Sequence, residues 1–140
     1  MNYSELVQTY FERTTALQWY WTVYILVIGG VIGFSTFRQY KELPTTILVT
    51  VLFGCFAYKN FDALDSTFTE RNAILAALKA YPAGPDVTPV RERLEPTLTG
   101  PEYTSYGWFH LVCDLMTIAV VWVKEWHRIP WKRGTVSGAA

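Results

Sequence analysis

At 140 residues the chain has room for one domain; 51% is hydrophobic and 16% aromatic, while 17% is charged, below the roughly 25% usual in soluble domains. Twelve basic residues balance twelve acids, so bulk charge offers nothing to nucleic acid, and none is expected as a partner. The two cysteines, Cys55 and Cys113, sit in apolar runs without a C-x-x-C pattern, which argues against a disulfide framework.

The N-terminus carries Glu5 and Glu12 and no early basic cluster, so the first apolar run is expected to be a retained helix and not a cleaved signal. Asn2 stands three residues before Glu5, a capping pattern. Leu6, Val7, Tyr10 and Phe11 come next at helical spacing and predict a helix over 3–14, either lying in the membrane interface or continuous with the first span. The run 16–37 is long enough for about 30 Å of hydrocarbon and opens on the collar Gln18, Trp19, Tyr20, Trp21.

After the linker "RQYKELP", Pro44 is suited to a helix start, and 45–61 predicts a second, short span with Lys59 snorkelling at its end. No proline occurs from 45 to 81, so this helix is expected to continue to 81. Phe61, Leu64, Phe68, Leu75 and Leu78 recur there as an apolar stripe, expected to dock a partner surface. Arg71 lies close to that stripe, with Asp65 or Glu92 as candidate ion partners.

Residues 82–105 hold prolines 82, 85, 89, 96 and 101 and predict an extended connector with a turn around "VRERLE". The third span is expected over 106–123, between Trp108 and the pair Trp122 and Trp126. The tail 124–140 is basic and then small and polar. In it, His127 reads as an interfacial anchor, and "HRIPWKR" as a segment able to touch anionic headgroups.

Orientation is read from lysine and arginine near the span ends. Linker and tail share Arg38, Lys41, Lys124, Arg128, Lys132 and Arg133 against Glu42 and Glu125. The opposite side carries nine acids against six basic residues. The positive-inside rule then places the C-terminus in the cytoplasm and the N-terminus outside, in a bacterial-type inner membrane.

Two features bear on function. Gly29, Gly30 and Gly33 in "GGVIG" put small residues on one helix face, where two backbones can approach closely, inside the chain or between chains. Asp114 stands near the middle of the third span, where inserting an aspartate costs roughly 2.5–3.5 kcal/mol. His110 and Thr117 fall on the same face and complete a polar stripe that cannot face lipid. The stripe can serve as an assembly contact, its internal partners being Thr22, Thr50 or tyrosine hydroxyls. It can instead line an ion, proton or substrate path. Cys55, His110, Cys113 and Asp114 are metal-ligand types but lack a ligand spacing, and His110 and His127 lie too far apart on one helix to hold one haem.

No phosphate loop, G-x-S-x-G or H-E-x-x-H occurs, so no enzyme, cofactor or metal is expected. The sequence predicts an all-α integral membrane protein. Three transmembrane helices are joined by a short linker and an outer segment, which extends the second span and ends in a proline-rich connector. The expected role is a non-catalytic subunit or scaffold of a membrane complex, hetero- or homo-oligomeric. The alternative is an oligomeric channel or small transporter with His110 and Asp114 on the path.

Overall fold

The computed structural model describes residues 2–82, 84, 87–94, 98 and 103–129, without the side chains of 90 and 103–105. They form four helices: α1 Tyr3–Phe37, α2 Leu43–Ala80, α3 Thr88–Leu94 and α4 Tyr103–Trp126. Among the described residues there is no strand, only an isolated bridge between Tyr40 and Ile129. Pro85, Pro96 and Pro101 of the connector, and residues 130–140 with Lys132 and Arg133, lie outside the described residues.

α1 is one helix, so the expected segment 3–14 is continuous with the span and not a separate interfacial piece. Nothing between 3 and 28 is glycine or proline, so nothing breaks it. Its start is a capping box: the Glu5 amide donates to Asn2 Oδ1 at 2.8 Å and the Asn2 amide donates to Glu5 Oε2 at 2.8 Å. α2 begins with Pro44 in its first turn and runs unbroken to Ala80. Tyr81 takes an extended backbone (φ −64°, ψ 136°), as suits the residue before Pro82. The open carbonyls at that end are closed from α3, where Arg91 donates to Tyr81 O at 3.0 Å and to Lys79 O at 2.7 Å.

α1, α2 and residues Tyr106–Trp126 of α4 are each long and apolar enough to cross a membrane, and the chain is membrane-embedded. Ile25, Leu26, Leu48, Val51, Leu52, Leu115 and Met116 are all more than half exposed along these helices. So large an apolar surface is costly in water and normal against acyl chains. α1 and α4 run in one direction and α2 runs back against both, each of the three meeting the other two. At 1.5 Å per residue α1 and α2 are each over about 50 Å long, and α4 about 36 Å. The α1–α2 hairpin therefore stands out past α4 at the end that carries the connector.

That protruding end has its own core. Tyr3, Leu6 and Tyr10 of α1 pack with Leu75 and Leu78 of α2 and with Leu98, flanked by Val7, Ile74 and Leu94. Arg13 and Glu70 add an exposed ion pair at 3.2 Å. The apolar stripe expected to dock a partner is thus covered within the chain: Leu64, Phe68, Leu75 and Leu78 are buried and Phe61 half-buried. The reason is that α1 begins with an apolar face of its own, at Tyr3, Leu6 and Tyr10, which needs the same cover.

The two cores separate in space, so they separate in a measurement. Leu78→Ala, at a site 2% exposed, is expected to cost roughly 2–5 kcal/mol locally. Hydrogen exchange in detergent should quicken for amides of 4–12 and 70–80 and stay unchanged for 110–122. Uniform quickening along all three long helices would contradict this division.

Candidate functional site

The polar stripe of α4 meets both other long helices. Tyr24 of α1 donates its hydroxyl to Asp114 Oδ1 at 2.7 Å and lies 3.3 Å from the His110 carbonyl. Asp114 Oδ2 is 2.8 Å from His110 Nδ1. His110 Nε2 is 3.3 Å from the Asn60 side-chain amide of α2. With the Asn60 Nδ2 donating, Nε2 is the acceptor, and Nδ1 carries the proton donated to Asp114. The result is one hydrogen-bonded chain, Tyr24–Asp114–His110–Asn60, in which each member has a partner.

Aromatic rings seal this chain. The Tyr24 ring stacks on His110 with centroids 4.1 Å apart and 24° between planes, and Phe61 meets His110 edge-on at 5.5 Å. Trp21 lies 6.0 Å from the same ring. Tyr24 is 1% exposed and His110 2%, whereas the Asp114 side chain keeps 17%. In that dry setting an unmade bond is more costly than at a surface.

Of the expected stripe, His110 and Asp114 belong to the interhelical chain. Thr117 does not, because its hydroxyl donates to the Cys113 carbonyl of its own helix at 2.8 Å. Thr22 and Thr50 are spent in the same way, on Gln18 O at 2.9 Å and Thr46 O at 2.8 Å, so neither is a partner of Asp114. A tyrosine hydroxyl takes that place. Asn60 is a member that sequence reasoning misses, although a lone amide one residue from the expected end of the second span is a usable signal.

A second polar cluster ties the helices at the linker end. Glu125 of α4, 2% exposed, accepts from the Glu42 amide at 2.8 Å, bonds Arg128 and lies 3.6 Å from Arg38. Arg128 also donates to the Ser35 carbonyl, and through Nε to the Arg38 carbonyl at 3.1 Å. Arg38 donates to Thr46 Oγ1 at 3.3 Å and Glu42 O at 3.1 Å. Two arginines that count as surface charge in the sequence are therefore inward clamps across α1, α2 and α4. Sequence cannot separate them from Lys41 or Lys124, because the deciding feature is the buried acid Glu125.

The remaining candidates lie apart. Cys55 is an exposed free thiol and Cys113 a half-buried one. Among the described residues no three His, Cys, Asp or Glu side chains converge as metal ligands. His127 is exposed beside Trp126, its Nδ1 donating to Val123 O at 2.8 Å. Gly29 and Gly30 are exposed and Gly33 half-buried, and a Cβ at any of the three would meet nothing within 4 Å. This glycine face packs on neither α2 nor α4.

Two clefts border His110. One lies between α2 and α4, opens sideways and reaches Asp114, with Phe53, Ala57, Leu111 and Ile118 among its walls. The other lies among all three long helices at the connector end and is lined by Trp21, Phe61, Phe68, Arg71 and Tyr106. The structure is that of a three-helix membrane protein with an internally satisfied polar core. No family model, curated protein or solved structure matches the chain.

Two tests address the clamps. Tyr24→Phe removes one interhelical bond and is expected to cost roughly 0.6–1.7 kcal/mol in detergent unfolding titrations. Asp114→Ala strands both the Tyr24 hydroxyl and His110 Nδ1, and should cost about 2–4 kcal/mol. Wild-type stability in both variants would contradict the chain of bonds. At the other end, Arg128→Ala leaves buried Glu125 short of its nearest cation and is expected to lose roughly 3–5 kcal/mol by the same titration. A loss below about 1 kcal/mol, typical of an exposed pair, would contradict the burial.

Proposed function

We propose that the chain is a non-catalytic subunit, or scaffold, of a larger membrane assembly, and that it joins this assembly through the face of Gly29, Gly30 and Gly33. The observation that carries the reading is a contrast. The polar groups of the spans find their partners inside the chain, whereas the close-packing glycines find none. Small residues on a lipid-exposed face add little to the helix that bears them and allow another helix to approach closely. The membrane is of the bacterial cytoplasmic type, with the C-terminus inside, on the lysine and arginine distribution.

The alternative is an oligomeric ion or proton path past His110 and Asp114. It draws on the side cleft between α2 and α4, through which the Asp114 carboxyl keeps its 17% exposure. Asp114→Asn in liposomes separates the two: loss of a proton-dependent flux with assembly intact favours the path.

The assembly reading is tested by Gly33→Leu and Gly29→Leu. A Cβ at either position meets nothing within 4 Å, and replacing a mid-helix glycine favours the helix by roughly 0.5–1 kcal/mol. Both variants should therefore match or exceed wild type in thermal stability. On native gels after mild-detergent extraction they should lose the high-mass band and its co-purifying chains. An unchanged band, or a wild type that migrates as a lone chain, would overturn the reading.

A further inference from the structure

Arg71 is 6% exposed, and its Nε and Nη2 are fully buried without a hydrogen-bond partner. Neither of the acids considered from sequence, Asp65 or Glu92, bonds those atoms. The guanidinium is held by rings instead, 5.2 Å from the Phe68 centroid and 5.5 Å from that of Tyr10. Neither ring gives Nε or Nη2 a conventional acceptor. Nε–H and Nη2–H point the same way along one side of the guanidinium, and this fork matches the two oxygens of a carboxylate or phosphate. A buried pair of donors of this kind is costly when empty.

Arg71 lines the three-helix cleft at the connector end. The cleft has a volume of about 200 Å³ and runs between the level of Arg71 and Thr14 and that of Trp21 and His110. Its walls are mostly apolar: Leu17, Trp21, Phe61, Leu64, Phe68 and Tyr106. Along α2 the distance from Phe61 to Arg71 is about 15 Å. That volume suits an alkyl chain and is too small for a bulky ring cofactor. Arg71 stands roughly 40 Å along α2 from Leu43, beyond about 30 Å of hydrocarbon, while the His110 end lies inside it.

We infer that this cleft binds a membrane amphiphile with a carboxylate or phosphate head, the head seated on the Nε–Nη2 edge of Arg71 and the chain directed toward His110. The paired anionic oxygens supply the acceptors that the buried fork lacks, and the apolar walls take the chain. Asp65 also lines the cleft and opposes the anion at longer range. This site does not depend on the assembly reading, since the glycine face lies elsewhere on α1.

The test uses the full chain in a neutral maltoside detergent. Trp21 lines the cleft, so a brominated fatty acid should quench tryptophan fluorescence saturably. Dodecanoate and a lysophosphatidate of the same chain length should displace it. The stronger of the two names the head. The neutral monoacylglycerol should be at least tenfold weaker, and inorganic phosphate alone should not compete. Arg71→Gln should weaken binding at least tenfold and erase the preference for an anionic head. Arg71→Lys keeps the charge without the fork and should recover only part. Gly107→Leu narrows the cleft at its far end, where a Cβ meets the Phe61 ring at an ordinary 3.8 Å, and should weaken binding with Arg71 intact. Asp65→Asn should bind as well as wild type or better. Equal displacement by monoacylglycerol, competition by phosphate alone, or weaker binding in Asp65→Asn would overturn the inference. So would wild-type binding in either Arg71→Gln or Gly107→Leu. If Arg71→Gln does not fold, the head-group comparison and Gly107→Leu still decide.

Discussion

The carboxyl of Asp114 is the group that the rest of the bundle must accommodate. A carboxyl among apolar residues in a span has two ways to be tolerated: it reaches water, or it finds donors. Here it finds two on separate oxygens, the Tyr24 hydroxyl and His110 Nδ1. The first donor sits on another helix, so the bond fixes the depth of α1 against α4. The second is a ring whose far nitrogen must also be matched, and Asn60 matches it from α2. One acid therefore sets the register of three helices. Apolar packing alone leaves helices in lipid free to slide, because acyl chains solvate leucine as well as another helix does.

The Glu125 cluster repeats this arrangement at the other end, about 16 Å further along α4. There too a buried acid gathers donors from each helix: the Glu42 amide, Arg128 and Arg38. The difference is one of charge. In the first cluster an imidazole and a hydroxyl suffice, packed among aromatic rings. In the second, guanidinium groups face the acid at the membrane edge and also close the last carbonyls of α1, at Ser35 and Arg38. Two clamps at different depths resist both sliding and rotation. The linker 38–42 can be short because the clamp, and not the loop, holds the ends together.

How much of this is legible in the sequence depends on the range over which each signal acts. Helix starts and stops are local, so Asn2 with Glu5, Pro44 and Pro82 mark them, and the run without proline from 45 to 81 foretells the length of α2. Span position is a sum over some twenty residues, and the apolar runs carry it. The stripe of α4 is visible as a face, but its partners lie 50 and 90 residues away, at Asn60 and Tyr24. Nothing in a helical period says which hydroxyl will be opposite. Thr22 and Thr50 have the right chemistry, but both lie on helices, where their own preceding carbonyls compete for the hydroxyl. The stripe on α2 looks free in the sequence because its cover, the first three turns of α1, has the pattern of an interfacial segment. Arg38 and Arg128 look like surface charge, since burial cannot be seen in a count.

Arg71 is the exception to this matching. Among the described residues it is the only side chain with buried nitrogen or oxygen atoms that lack a hydrogen-bond partner. In a chain that satisfies its other buried polar groups through matched donors and acceptors, this is not general looseness of packing. The unpartnered edge is confined to one guanidinium, held against two rings, in the lining of an apolar cleft that also reaches His110. His110 therefore borders both the polar core and the cleft. Its imidazole holds α2 to α4, and it is buried among Trp21, Tyr24 and Phe61. The Trp21 and Phe61 rings that close over His110 also line the cleft, so the same aromatic side chains serve the polar core and the apolar walls.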